Sequence, residues 1–194
     1  MGRRRLGSIF LAVACVVMLA AAAYSLFTQR SGGEVKAASA DAAVDDNKGL
    51  GPSGLPVPRF VSLKTDIVNV RRGPSSDHEV AWVFRRKGLP VEIIAEYEHW
   101  RRIRDSEGEE GWVYQSLLAG ERTAIVEPWK KGRSVALRRK PEASSPAVAL
   151  LKSGVIGQVE KCTGQWCQLA VNGYEGWIDQ ALLFGVYPGE RLDD

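Results

Sequence analysis

The sequence predicts an all-β protein, built as two tandem small barrels behind an apolar N-terminal helix and a disordered tether. Three observations carry this. The phrase EGWVYQSLLAG at 110–120 returns as EGWIDQALLFG at 175–185, and self-similarity at a fixed interval marks a repeat architecture. Short apolar/polar alternations, such as Val68-Asn69-Val70-Arg71, have the period of half-buried strands. Ahead of both repeats, residues 6–27 carry no charge.

Taken in order, residues 1–30 read as a signal peptide or transmembrane anchor. Gly2-Arg3-Arg4-Arg5 is a basic start, Leu6–Phe27 is uncharged, and Gln29-Arg30 closes the run. Basic residues before an apolar stretch keep that end in the cytoplasm. A secretory core is usually ~7–15 residues and a span ~17–25, so a run of this length favours an uncleaved anchor. The cleavable alternative uses the small residues Ala20 to Ala23. In both cases the rest of the chain leaves the cytoplasm.

Residues 31–58, SGGEVKAASADAAVDDNKGLGPSGLPVP, hold few large apolar groups. Such a segment buries too little surface to offset its ordering entropy, and it is expected to be a flexible linker. Residues 59–120 and 121–186 are the two related domains, and 187–194 are expected to be a tail. Val68–Pro74 aligns with Val135–Pro141, Trp100 with Trp166, and Gly111-Trp112-Val113 with Gly176-Trp177-Ile178. Each unit reads as five short strands separated by turn clusters such as Asp105-Ser106-Glu107-Gly108. A unit this small is marginal alone, and closing its sheet limits exposed edges.

The landmarks V-N-V-R-x-G-P-S, K-G, W and E-G-W-V with L-L resemble the bacterial SH3-like domain family. The first repeat matches each of them. The second departs where Lys140 stands for Gly73 and Ala136 for Asn69. The resemblance implies two SH3-like barrels. It also implies a mostly non-catalytic module of envelope proteins, of a kind often implicated in binding peptides or cell wall.

The sharpest local signal is Cys162-Thr163-Gly164-Gln165-Trp166-Cys167. If Gly164-Gln165 forms a two-residue hairpin loop, Cys162 faces Cys167 in a non-hydrogen-bonded pair, within reach of a disulfide. The matching positions in the first repeat, Glu96 and Arg101, are a complementary charge pair.

Trp100, Trp112, Trp166 and Trp177 occupy equivalent places and are expected to pack the two cores. Trp82 and Trp129 have no counterpart in the other repeat, which makes them candidates for a surface role. Tyr97 and Tyr114 are expected to join Trp82 in an aromatic groove for an extended peptide. The candidate binding residues are therefore Trp82, Tyr97, Tyr114 and Trp129.

Chemistry is thinly supplied. The chain has three cysteines and two histidines, and two ligands do not make a zinc site. No phosphate loop or dinucleotide fingerprint is present. His78, in Ser75-Ser76-Asp77-His78, is explained by turn formation as well as by catalysis. No catalytic residue, metal or cofactor is assigned. Residues 59–120 balance ten basic against ten acidic side chains, and 121–186 hold nine against six. That balance and the export signal disfavour nucleic acid. The expected protein is a non-enzymatic envelope module, periplasmic or extracytoplasmic and anchored to the membrane through residues 6–27. Its partner would be an envelope protein, a peptide or peptidoglycan. The alternative is a cell-wall hydrolase or an envelope stress sensor.

Overall fold

The computed structural model describes residues 49–193. The expected N-terminal helix, the span at 6–27 and the linker as far as residue 48 lie outside them. Among the described residues no helix is long and apolar enough to cross a membrane.

The alternating segments of the first repeat become β1 (Arg59–Leu63), β2 (Val68–Arg71), β3 (Val80–Phe84), β4 (Pro90–Tyr97), β5 (Trp100–Arg104), β6 (Glu110–Tyr114) and β7 (Leu118–Ala119). They form one antiparallel sheet in the order β3-β2-β6-β5-β4-β1-β7. The second repeat supplies β8 (Thr123–Val126), β9 (Ser134–Arg138), β10 (Ala147–Lys152), β11 (Ile156–Thr163), β12 (Trp166–Val171), β13 (Tyr174–Asp179) and β14 (Leu183–Phe184). Their order is β10-β9-β13-β12-β11-β8-β14, and β15 (Arg191–Leu192) pairs with β11 off that path. The five strands expected per repeat are β2–β6 and β9–β13. The lead-in strands β1 and β8, and the two-residue strands β7 and β14, complete each sheet. β7 and β14 follow 3-10 turns at Gln115–Leu117 and Gln180–Leu182.

Each sheet buries its own inner face. Val68, Val70, Val91, Ile103 and Val113 are fully buried and belong to one cluster with Val61, Leu63 and Ile93. Strands β1 and β2 lie four places apart in the sheet, a distance of ~19 Å if it were flat. No helical layer covers this face among the described residues, so the sheet is rolled over its own core. The second core repeats the plan around Leu137, Leu169 and Ile178, with Cys162 and Cys167 among its members.

The shared Glu-Gly-Trp phrase has a packing cause. A Cβ on Gly176 would sit 2.7 Å from the Arg138 carbonyl oxygen and 2.8 Å from Leu137 Cγ, and one on Gly111 would collide with Val70 Cγ1. Strand β6 crosses β2, and β13 crosses β9, too closely for any side chain there.

The four equivalent tryptophans depart from expectation. Trp100, Trp112, Trp166 and Trp177 are half-buried and belong to neither core. Their strand neighbours Arg101, Val113, Cys167 and Ile178 take the inward positions, and the period-two rule puts the indoles on the outer face.

Two segments expected to be loose are built in. Residues 49–58, the end of the expected linker, form a turn closed by a Leu50–Pro56 bridge. The Ser53 amide and hydroxyl both donate to Glu96, each at 2.8 Å. Residues 187–193, within the expected tail, strap the second repeat. Arg122 donates to both oxygens of Glu190 at 2.9 and 3.0 Å, and Gln180 Nε2 donates to the carbonyls of Tyr187 and Glu190.

The same strap joins the repeats. Phe60 of β1 meets the rings of Phe184 and Tyr187 at 5.2 and 4.7 Å, and the Tyr187 hydroxyl donates to Glu92 at 3.0 Å. Burial, and next the Glu92 carboxylate, push that hydroxyl well above the usual phenol range. Thr123 Oγ1 donates to the Gly88 carbonyl at 2.8 Å, and Arg86 donates to that of Gly154 at 2.9 Å.

Candidate functional site

Register decides which aromatic side chains meet. Tyr97 pairs with Trp100, and Trp100 with Tyr114, across β4, β5 and β6. Directly paired residues share a face, so the three rings form a row on the outside of the first sheet. Trp100 and Tyr114 touch edge to face with centroids 5.4 Å apart, a favoured aromatic geometry. Tyr97 and Tyr114 remain 52% and 39% exposed.

The loop after β2 rises beside this row. Arg71 Nη1 donates to the His78 carbonyl at 2.6 Å, and the Arg72 amide donates to the Glu79 carbonyl. The Asp77 amide donates to Ser75 Oγ at 3.0 Å. Between loop and row lies a groove of about 490 Å³, whose lining includes Asn69, Pro74, Asp77, Glu98, Trp100 and Tyr114. The Arg71 contact is structural, because Arg138 makes the same bond to the Ser145 carbonyl in the second repeat.

Trp82 does not join this groove. It pairs with Val70, which faces the core, and packs against that core and Phe84. It therefore stands on the opposite face of the sheet from Tyr114. Its outer edge lines a separate, polar recess with Arg72, Glu109 and Glu110. Trp129, 51% exposed, lines a second groove of about 520 Å³ with Asp179, Gln180, Leu183 and Pro188. The four candidate residues thus fall at three places, and only Tyr97 and Tyr114 share a row.

The hairpin beside the first groove is fastened differently in each repeat. Glu96 opposes Arg101, and Cys162 opposes Cys167. The cysteines form a disulfide with Cα atoms 4.1 Å apart. In the first repeat, the Glu96 side chain is out of solvent and takes Arg59 at 2.7 Å and Arg101 at 3.1 Å. Burial pushes the Glu96 carboxyl up, but the Ser53 amide, Arg59, the Ser53 hydroxyl and Arg101 together hold it below the usual carboxylate range. Gly164 turns the second hairpin with a φ of 95°, and Glu98 occupies the equivalent place at a φ of 47°.

Exchanging arginine for cysteine leaves a mark. Arg101 Nη2 donates to Gln115 Oε1 at 2.8 Å. The equivalent oxygen of Gln180 is buried without a donor among the described residues. Gln180 cannot turn its amide over, because Nε2 already serves two carbonyls. A second buried anomaly is Glu127, whose fully buried carboxylate has among the described residues no hydrogen-bond donor, with Lys130 and Arg133 each at 3.6 Å. Sequence reasoning missed both, since each depends on which way a polar side chain faces.

The cysteines and histidines weighed for chemistry have these places. The disulfide leaves neither Cys162 nor Cys167 as a thiolate nucleophile. His99 Nδ1 lies 3.1 Å from Gln115 Nε2, and the His78 ring stacks over Gly73. Among the described residues no group of three or more His, Cys, Asp or Glu is placed to hold a metal.

Comparison with known proteins follows the repeat. The model of the bacterial SH3 domain family matches residues 64–120 and again 131–185. Among solved structures, NlpC2 from Trichomonas vaginalis is 12% identical, with a TM-score of 0.30 over 66% of this chain and 48% of that one. NlpC1 from the same organism is 13% identical, with a TM-score of 0.29 over 66% and 45%. The endolysin LysPBC5 CBD is 19% identical, with a TM-score of 0.26 over 66% and 92%. The chain therefore spans about half the length of the two NlpC structures, and at such TM-scores none of the three bears on function. No curated protein matches.

Proposed function

Because the chain belongs to the bacterial SH3 domain family, we propose that it is a non-enzymatic binding module of the cell envelope. In this reading the fused pair of repeats holds a peptide, a protein or a cell-wall polymer. The observation that carries the reading is the groove beside Trp100 and Tyr114. It offers an aromatic floor, one half-exposed ring and flanking polar groups, a combination suited to an extended chain with both apolar and charged parts. The contacts between the repeats support a single rigid binder.

Residues 1–30 deliver the module in this reading. They anchor it in the membrane or direct its export, and 59–193 lie outside the cytoplasm. The disulfide favours that placement, because such bonds persist in oxidising compartments. A reporter fused to the C-terminus is expected to be active only in its exported form. N-terminal sequencing of the mature protein separates anchor from cleaved signal.

The binding test is co-sedimentation of the full chain with purified peptidoglycan sacculi, alongside capture from envelope extract. Tyr114→Ala is expected to lower retention about three- to ten-fold while leaving the melting temperature nearly unchanged, since Tyr114 is outside the core. Equal retention of the wild type and Tyr114→Ala, with full folding of both, sinks the assignment of this groove.

A further inference from the structure

The groove of the first repeat has a charge character that its residues explain. Two carboxylates, Asp77 and Glu98, line it together with the rings of Trp100 and Tyr114. Among the described residues neither carboxylate is engaged by a cationic side chain, and Asp77 has only the Ser75 hydroxyl at 3.4 Å. The one guanidinium in the lining, Arg71, is held by the neutral His78 carbonyl and keeps its charge. The groove is thus an aromatic corner that is net negative, two unpaired carboxylates against one guanidinium. Ring faces and carboxylates attract the same ligand group, a cation, the first through the quadrupole and the second by Coulomb's law.

Glu98 adds a second consideration. It holds a left-handed φ of 47° where the second repeat has Gly164 at 95°. Glycine suits that region without penalty, and a side chain does not. Glu98 therefore keeps a carboxylate at the groove in a conformation that glycine would hold with less strain. The second repeat lacks the arrangement: Gly164 replaces Glu98 and Asp179 replaces Tyr114, so no aromatic pair stands there beside a free carboxylate.

We propose that this groove is a recognition site for a primary ammonium group on a peptide, the side-chain or terminal amine of the chain it holds, and that the first repeat alone carries it. Trp100 and Tyr114 supply the face for the ammonium and its methylene stem. Asp77 and Glu98 supply the counter-charge. This rests on the envelope-binding reading and names the ligand chemistry of the same groove.

The probe is Nα-acetyl-lysine amide, with its Nε-acetylated form as the control. Each is titrated into the full chain while the Trp100 indole N–H signal is followed by NMR. Saturable shifts at Trp100 are expected with the amine and not with the acetylated form. Asp77→Asn and Glu98→Gln are each expected to weaken binding about three- to ten-fold. Glu98→Gly is expected to weaken binding equally while holding or raising the melting temperature, an outcome that a purely structural role for Glu98 does not give. Equal response to both probes overturns the proposal, as does a response centred on Trp129 or no saturable response to the amine. A parallel arm acetylates the amines of peptidoglycan sacculi. Loss of binding on acetylation supports the ammonium site. Retained binding overturns it and leaves the envelope reading standing. Failure to bind native sacculi or any component of envelope extract, with a positive amine titration, overturns the envelope reading alone.

Discussion

Removing the Cys162–Cys167 bond isolates what it contributes to the second repeat. The perturbation is Cys162→Ala with Cys167→Ala, run beside wild-type protein with and without reductant. Alanine is preferred to serine because both positions are buried, and a buried hydroxyl without a partner adds about 1–3 kcal/mol of its own. The bond joins residues only five apart in sequence. The chain-entropy relation for so short a loop gives about 2 kcal/mol, below the ~3 kcal/mol of a 15-residue loop. If the interlocked repeats melt as one unit, that lowers Tm by about 4–8 °C; a second repeat that melts alone loses about 8–16 °C. Calorimetry reads both, since the second case splits the transition. Hydrogen exchange adds a local readout: Cys162 also pairs with Leu192, so the strap at 187–193 is expected to exchange faster. A loss under about 0.5 kcal/mol, or two alkylatable thiols in unreduced exported protein, refutes the reasoning.

The other predictions concern the polar fastenings. Arg101→Ala removes one of two cations at Glu96 while Arg59 stays, and is expected to cost about 1.5–3 kcal/mol by denaturant unfolding, more than Arg102→Ala on the outer face. Glu96 is held below its ordinary range in the folded chain. Its stabilisation is therefore present above the unfolded carboxylate value and is lost as pH falls through the folded one. Unfolding curves against pH should show this slope, and Glu96→Gln should flatten it. Glu190→Ala removes a two-pronged bond to Arg122 and is expected to cost about 2 kcal/mol, with faster exchange in β8 and β15.

The strand pattern and the disulfide were readable in the sequence because both follow from period two and a tight turn. Gly164 and Gln165 set a register, and the register alone brings Cys162 opposite Cys167. The faces were harder. Trp100 is apolar and Arg101 charged, so composition puts the indole inside; the structure does the reverse, because Glu96 waits across the strand for Arg101. The alternation Gly111, Trp112, Val113 already implied an outward indole, since Val113 matches Ile178 in the second core. The groove was half visible. Tyr97 and Tyr114 could be named from their strands, whereas Trp82 was grouped with them by residue type and not by face. Residues 49–58 and 187–193 look loose because their partners are remote: Ser53 finds Glu96, 43 positions away, and Glu190 finds Arg122, 68 away. Composition reports a segment's own capacity to bury surface and is silent about a distant socket for it.

The unlike fastenings of the two hairpins make the halves fail to different insults. Acid attacks the first, where protonating Glu96 weakens its bonds to Arg59, Arg101 and the Ser53 turn together. A reducing agent attacks the second and leaves the ion pair untouched. Neither insult reaches both hairpins, and the Phe60 and Thr123 contacts between the repeats use neither fastening. The duplicated unit has in this way acquired two independent modes of wear, one set by pH and one by redox state.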